Sequence, residues 1–273
     1  MDKLPGIMFG TGLSAAKDYR QMKEVVKTAL KNGITGFDTA PSYKTEKLLA
    51  KVLGECSSEL NLTREDVFIQ TKIDAWQCQE GKKAIKEYVI KTLESMQLDF
   101  FDSLLIHWPV PEYLEDAWEA LVEIKKEKMA KHIGVCNVRK RHLTTFLDYD
   151  IKPEIIQIER NPLFTCLDEV DFCIKNGMAI QAYSPLCKMD ARIQKSEKLE
   201  SLSKKYNKSI GQIVLRWHLE TGVTPIFTSK NVERIKEYSQ LYDFSLTAEE
   251  TLSINQLNIN HKLYLESWAC PGF

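Results

Sequence analysis

Eight short apolar runs alternate along this chain with segments of helical periodicity, and few folds accept that order. The runs fall at 7–9, 34–39, 67–72, 103–107, 133–136, 155–158, 179–183 and 224–227. Between the first two, Met22, Val25, Val26, Ala29 and Leu30 recur at the spacing of one helix face. Gly33 follows as a C-terminal stop. A helix is expected near 46–53. Similar stripes follow the third run (Ile85, Val89, Leu93, Met96) and the fourth (Leu114, Ala117, Trp118, Leu121). Further helices are expected near 139–147, 167–176, 196–206, 209–221, 231–240 and 247–256. Thr247 and Glu250 give the last one a capping box.

Strands separated by helices imply right-handed crossovers and a parallel sheet. Eight such units in 273 residues predict a closed (β/α)8 TIM barrel. A doubly wound open sheet is the competing arrangement. No Pro/Gly/Ser-rich linker or charge block divides the chain, so residues 1–273 read as one domain. A barrel places its chemistry at the C-terminal ends of the strands. The polar residues there are Asp38, Lys72, His107, Asn137, Gln157 and Tyr183.

Composition narrows the function. With 37 Lys+Arg against 38 Asp+Glu, the chain lacks the basic excess of a nucleic-acid protein. No run of 18 apolar residues suggests a membrane span. The N-terminus has no basic start leading into a long apolar core, so no secretory leader is expected. Seven cysteines without a C-x-x-C pair read as free thiols in a reducing compartment, the cytoplasm. The histidines show no metal-ligand spacing. Gly10 and Gly12 lack the third glycine of a Rossmann fingerprint.

Lysine is rarely buried without a partner, and Lys72 ends an apolar run beside the one that ends in Asp38. Taken alone, the two could be an inert ion pair on the barrel rim. His107 alone could be a structural residue. Tyr43, just after Asp38, makes a fourth group converging on one mouth.

Seven segments carry a resemblance: GFDTAPSY (36–43), IQTK (69–72), LLIHWP (104–109), GVCN (134–137), QIERNP (157–162), AYSPL (182–186) and TSKNVERI (228–235). In this order, from about residue 5 to residue 260, the chain resembles the aldo-keto reductase family, most closely the short bacterial members acting on keto-sugars and small aldehydes. The resemblance implies a catalytic tetrad of Asp38, Tyr43, Lys72 and His107 and reduction of a carbonyl by NAD(P)H. Tyr43 would be the general acid. Lys72 would lower its pKa, Asp38 would balance the lysine, and His107 would hydrogen-bond the carbonyl oxygen.

For the cofactor, the resemblance implies that Cys136, Asn137 and Gln157 hold the carboxamide and that Tyr183 stacks on the nicotinamide ring. Ser184 and Leu186 match contacts to the pyrophosphate. Thr228, Ser229, Lys230, Arg234 and Glu237 match the region that grips the adenosine end. Three residues depart from the family pattern. Cys136 stands where serine is usual, and a thiol is a weaker donor. Asn161 stands where histidine is common. Thr228 replaces a lysine that, with the later arginine, clamps the 2′-phosphate of NADP. Arg234 and Lys230 remain, so NADP(H) is the expected cofactor, with NAD(H) the alternative that Thr228 opens.

Trp76, Trp108 and the tail residues Tyr264, Trp268 and Phe273 are placed to form an aromatic substrate wall. Short connections at 108–113 and 184–195 suggest an open cleft for small aldehydes and ketones. A monomer is expected, with a small carbonyl compound as its partner and neither nucleic acid nor membrane. Two other readings stay open: a nicotinamide-binding regulatory protein with little turnover, and a cofactor-free barrel enzyme such as a sugar isomerase.

Overall fold

The structure is a computed structural model that describes residues 4–12 and 17–265. Its eight strands are β1 (Met8–Gly10), β2 (Gly36–Asp38), β3 (Phe68–Ile73), β4 (Phe101–Ile106), β5 (Ala130–Cys136), β6 (Ile155–Glu159), β7 (Ala179–Tyr183) and β8 (Val223–Phe227). They close in chain order, β8 pairing back to β1, and every pairing is parallel. This is the expected barrel, not an open sheet.

The helices form the outer layer. They are α1 (Tyr19–Lys31), α2 (Glu46–Leu60), α3 (Ala75–Cys78), α4 (Gly81–Met96), α5 (Leu114–Lys126), α6 (Lys140–Leu143) and α7 (Leu167–Lys175). Then come α8 (Ala191–Gln194), α9 (Glu197–Tyr206), α10 (Ile210–Glu220), α11 (Val232–Ser239) and α12 (Ala248–Asn255). α1 buries the five apolar residues its spacing singled out, and Gly33 follows at φ +78°, a left-handed conformation open to glycine. Thr247 and Glu250 form both halves of the capping box of α12.

Some boundaries differ from expectation. β2 is confined to Gly36–Asp38, and β5 begins at Ala130. α2 runs on to Leu60 because Cys56 continues the stripe of Leu49, Val52 and Leu53 into the core. The segment expected as one helix at 139–147 is α6 followed by a 3-10 turn at Thr145–Asp148. The turn after β3 holds the extra helix α3, whose N-cap is Asp74. At Gly134 on β5 an added Cβ would strike the backbone carbonyl of Ile155, so only glycine lets β6 approach this closely. Among the described residues, no helix is long and apolar enough to cross a membrane.

Candidate active site

β2 and β3 run side by side, and their inward side chains bring Asp38 and Lys72 together below the mouth. Lys72 is 1% exposed and Asp38 4%. Lys72 Nζ donates to Asp38 Oδ1 at 2.8 Å, to Oδ2 at 2.7 Å and to the carbonyl of Thr39 at 2.9 Å. All three ammonium donors are used, so the buried charge is fully satisfied. Burial, the largest single influence, pulls the Lys72 pKa down, but Asp38, Tyr43 and Cys136 together outweigh it and the net shift is upward.

Tyr43 sits on a 3-10 turn, Pro41–Tyr43, that follows β2. Its hydroxyl lies 3.4 Å from His107 Nε2, and the two rings meet edge-on. Lys72 Nζ lies 4.9 Å from the centre of the Tyr43 ring. The expected lowering of the tyrosine pKa is not the net effect. Burial pushes Tyr43 up, the Lys72 charge pulls it part of the way back, and it stays above its ordinary value.

His107 follows β4. Its Nδ1 lies 2.5 Å from Asp74 Oδ1. Its backbone carbonyl accepts from Asn137 Nδ2 at 2.8 Å. Asn137 occupies the left-handed region, φ +60°, which asparagine tolerates better than most residues. Tyr183 donates its hydroxyl to Asn137 Oδ1 at 2.7 Å. His107, Asn137 and Tyr183, from three different strand ends, are thus linked in one chain of contacts.

Beneath them lies a layer of amides. Gln157 Nε2 donates to Asp38 Oδ2 at 3.1 Å and to Gln181 Oε1 at 3.0 Å. Gln70 donates to Asp38 Oδ2 at 2.7 Å and exchanges hydrogen bonds with Gln181 at 2.9 and 3.0 Å. Gln70, Gln181 and Asp74 were not singled out by sequence. A signal existed for the glutamines: each lies two residues before a strand-end site residue, so it shares that residue's face.

A cavity of about 340 Å³ opens above these groups, with Tyr43, His107, Trp108, Asn137 and Gln157 among its walls. It adjoins a groove of about 400 Å³ that runs past Leu186 and Ser229 to Arg234. Ser184, Ile226, Thr228 and Tyr264 belong to both. Tyr264 packs edge-on against Tyr183, and its backbone N–H donates to Glu159 Oε2 at 2.9 Å. Glu159 also accepts from the backbone N–H of Leu263 and so holds Leu263 and Tyr264 at the mouth.

Other expected site residues lie elsewhere. The Cys136 side chain is buried with Leu105 and Ile155, outside the cavity wall, and burial pushes its thiol pKa well up. It packs as a small apolar group. Trp76 is 50% exposed and edge-on to Tyr88, because α3 turns it away from the cavity. Glu237 accepts from Ser209 Oγ and does not line the groove. Lys230 is exposed and lines neither cavity. Thr228 Oγ1 donates to the carbonyl of Gly10 at 2.9 Å. Trp268 and Phe273 lie outside the described residues.

A parallel eight-stranded barrel with a lysine–aspartate pair, a tyrosine and a histidine at its mouth defines a narrow class. The family model for the Aldo/keto reductase family matches residues 6–259, and the chain belongs to that family. It is an NAD(P)H-dependent oxidoreductase. It is 35% identical over 256 residues to a glyoxal reductase of Bacillus subtilis, covering 93% of this chain and 90% of the relative. It is 33% identical over 257 residues to a methylglyoxal reductase of Escherichia coli K12, covering 93% and 90%. Among solved structures, a Bombyx mori aldo-keto reductase in complex with NADP superposes with a TM-score of 0.88 at 31% identity, covering 97% of this chain and 93% of that one.

Proposed function

We propose that this chain reduces small aldehydes and ketones, keto-sugars included, to alcohols, with Tyr43 as the general acid and NADPH as the preferred reductant. The observation that carries the reading is the Tyr43 hydroxyl, 3.4 Å from His107 Nε2 in the cavity wall, with the buried Lys72–Asp38 pair beside it. The residues fit a nicotinamide dinucleotide. Two adjoining cavities give room for an extended ligand, the amides of Asn137 and Gln157 face one end, and the Arg234 guanidinium lies at the other. A carboxamide needs both a donor and an acceptor: Asn137 has one amide hydrogen and one oxygen lone pair beyond its bonds to His107 and Tyr183, and Gln157, whose amide hydrogens go to Asp38 and Gln181, has its oxygen to offer. Arg234 is suited to a phosphate.

Bound cofactor supplies the hydride that reduces the carbonyl carbon. The carbonyl oxygen then gains charge and needs a proton. Tyr43, with its pKa raised by burial, holds its proton at neutral pH and is positioned to release it there. Its O–H bond breaks as the alcohol O–H forms, and the nearby Lys72 charge stabilises the tyrosinate left behind. Asp38 keeps Lys72 charged and in place. Trp108 and Tyr264 supply aromatic surface for a small organic substrate. Parallel fluorescence titration with NADPH and NADH, followed by a panel of aldehydes, ketones and keto-sugars, tests the reading. Tight binding of NADPH with turnover of small carbonyls is expected. Cofactor binding without turnover of any carbonyl would refute it.

A further inference from the structure

Arg160, just after β6, is a buried cation that the proposed reaction does not use. It is 0% exposed. Its Nε donates to the carbonyl of Thr165 at 2.9 Å, and its Nη1 lies 2.8 Å from Nδ1 of His218 on α10. The guanidinium lies over the Trp217 ring, 3.8 Å from its centre. Among the described residues no carboxylate bonds it, and its Nη2 has no hydrogen-bond partner. Burying a charge this deeply without an anion is costly. Burial pulls even the guanidinium pKa down, to about 9, which leaves it charged at neutral pH.

A guanidinium has only donors, so His218 Nδ1 must accept. Burial, and then the Arg160 charge, pull the His218 pKa well below its ordinary value, so the ring is neutral. Its one N–H is therefore on Nε2. Nε2 lies 3.3 Å from the carbonyl of Pro185, which can only accept. The contacts on the two sides of the ring require the same tautomer.

The segment that His218 reaches is a turn in the wall of the groove. Ser184 stands there at φ +49°, a left-handed conformation that is costly for a residue with a Cβ. Every carbonyl of the turn is bonded. Tyr183 accepts from the Arg160 N–H at 3.3 Å, Ser184 from the Cys187 N–H at 2.9 Å and Pro185 from His218. Arg160 thus reaches the turn twice, once through its backbone and once through His218. Ser184 borders both the cavity and the groove, and Pro185 borders the groove.

We propose that Arg160 and His218 are positioning residues that hold the Tyr183–Pro185 turn in the strained form that a dinucleotide binds. The link to the cofactor rests on the proposed function; the tautomer does not. Histidine ¹⁵N spectra of the cofactor-free protein at neutral pH read the tautomer, with His218→Gln assigning the signal. The Nε2–H form is expected. An Nδ1–H ring or a doubly protonated one would overturn the assignment.

Removing one partner alone leaves the other buried and unmatched, so the role is tested with Arg160→Met/His218→Leu, in which neither polar end remains. This double variant should bind NADPH and NADH each about tenfold more weakly, because the turn lines a part of the groove that both would share. Turnover of the best carbonyl of the panel at saturating cofactor should not fall. His218→Gln keeps an acceptor for Arg160 and a donor for Pro185, and should bind both dinucleotides within about threefold of the wild type. Wild-type affinity in the double variant, a loss confined to NADPH, or a fall in turnover with affinity intact would overturn the role. So would a tenfold loss in His218→Gln, which decides the matter even where the double variant does not fold. Absence of cofactor binding in the wild type would sink the proposed function instead, and the spectra would still decide the tautomer.

Discussion

Lys72 Nζ spans both carboxylate oxygens of Asp38, at 2.8 and 2.7 Å, where neither residue is more than 4% exposed. Such a pair is stable because each charge answers the other, and removing one partner leaves the other buried alone. Asp38→Asn should therefore destabilise the fold by about 3–5 kcal/mol. The double variant Asp38→Asn/Lys72→Met should recover part of that loss in urea unfolding. A single variant as stable as the wild type would contradict the burial described.

The amide layer beneath the mouth makes a related prediction. Gln181 bonds both Gln70 and Gln157. Gln181→Leu leaves buried amide groups unpaired and should cost about 1–3 kcal/mol in thermal unfolding. Gln70→Leu in addition should cost less than the sum of the two single changes, since the two residues share their bonds.

The barrel and the convergence of four candidate site residues were legible in the sequence because barrel topology puts strand ends in one place. Asp38, Lys72, His107 and the Tyr43 turn meet there as expected. Asp74 was not legible: it lies beyond the strand end, and its contact with His107 depends on how α3 turns the chain. The same turn sends Trp76 outward. Cys136 looked like a cofactor contact by its place in the motif, but β5 points its side chain into packed interior. Glu237 bonds Ser209, far away in sequence, and is not among the residues that line the groove. Local pattern reports which face a residue shares, and tertiary partners decide where a long side chain ends.

Acid should weaken the protein through His107. Its folded pKa lies below the ordinary value of 6.5, because burial disfavours the charged ring. Between those two values the unfolded chain binds more protons than the folded one, so stability rises with pH there. The histidine's contribution is thus present above its unfolded pKa and is lost as pH falls through the folded pKa. In urea unfolding, the stability gap between wild type and His107→Gln should move against the wild type as pH drops from neutral toward 5. A gap that moves in its favour would show that the folded ring prefers its charge.

The preference between the two dinucleotides is predicted to turn on Thr228. Its hydroxyl is bonded to the carbonyl of Gly10, so it offers a 2′-phosphate no charge. Thr228→Lys adds an ammonium near the Arg234 end of the groove. Affinity for NADPH should rise by about tenfold, while affinity for NADH changes little. Equal gains for both cofactors would mean that the new charge meets something other than the 2′-phosphate.

The central claim is that the Tyr43 hydroxyl delivers the proton. Tyr43→Phe removes one oxygen and keeps the ring that packs against Lys72 and His107. The direct measurement is NADPH oxidation with a small aldehyde such as methylglyoxal, in wild type and Tyr43→Phe, beside NADPH titration of both. Turnover is predicted to fall by about 10²–10⁴-fold with the NADPH affinity near that of the wild type. Turnover at the wild-type rate would show that the proton comes from another group.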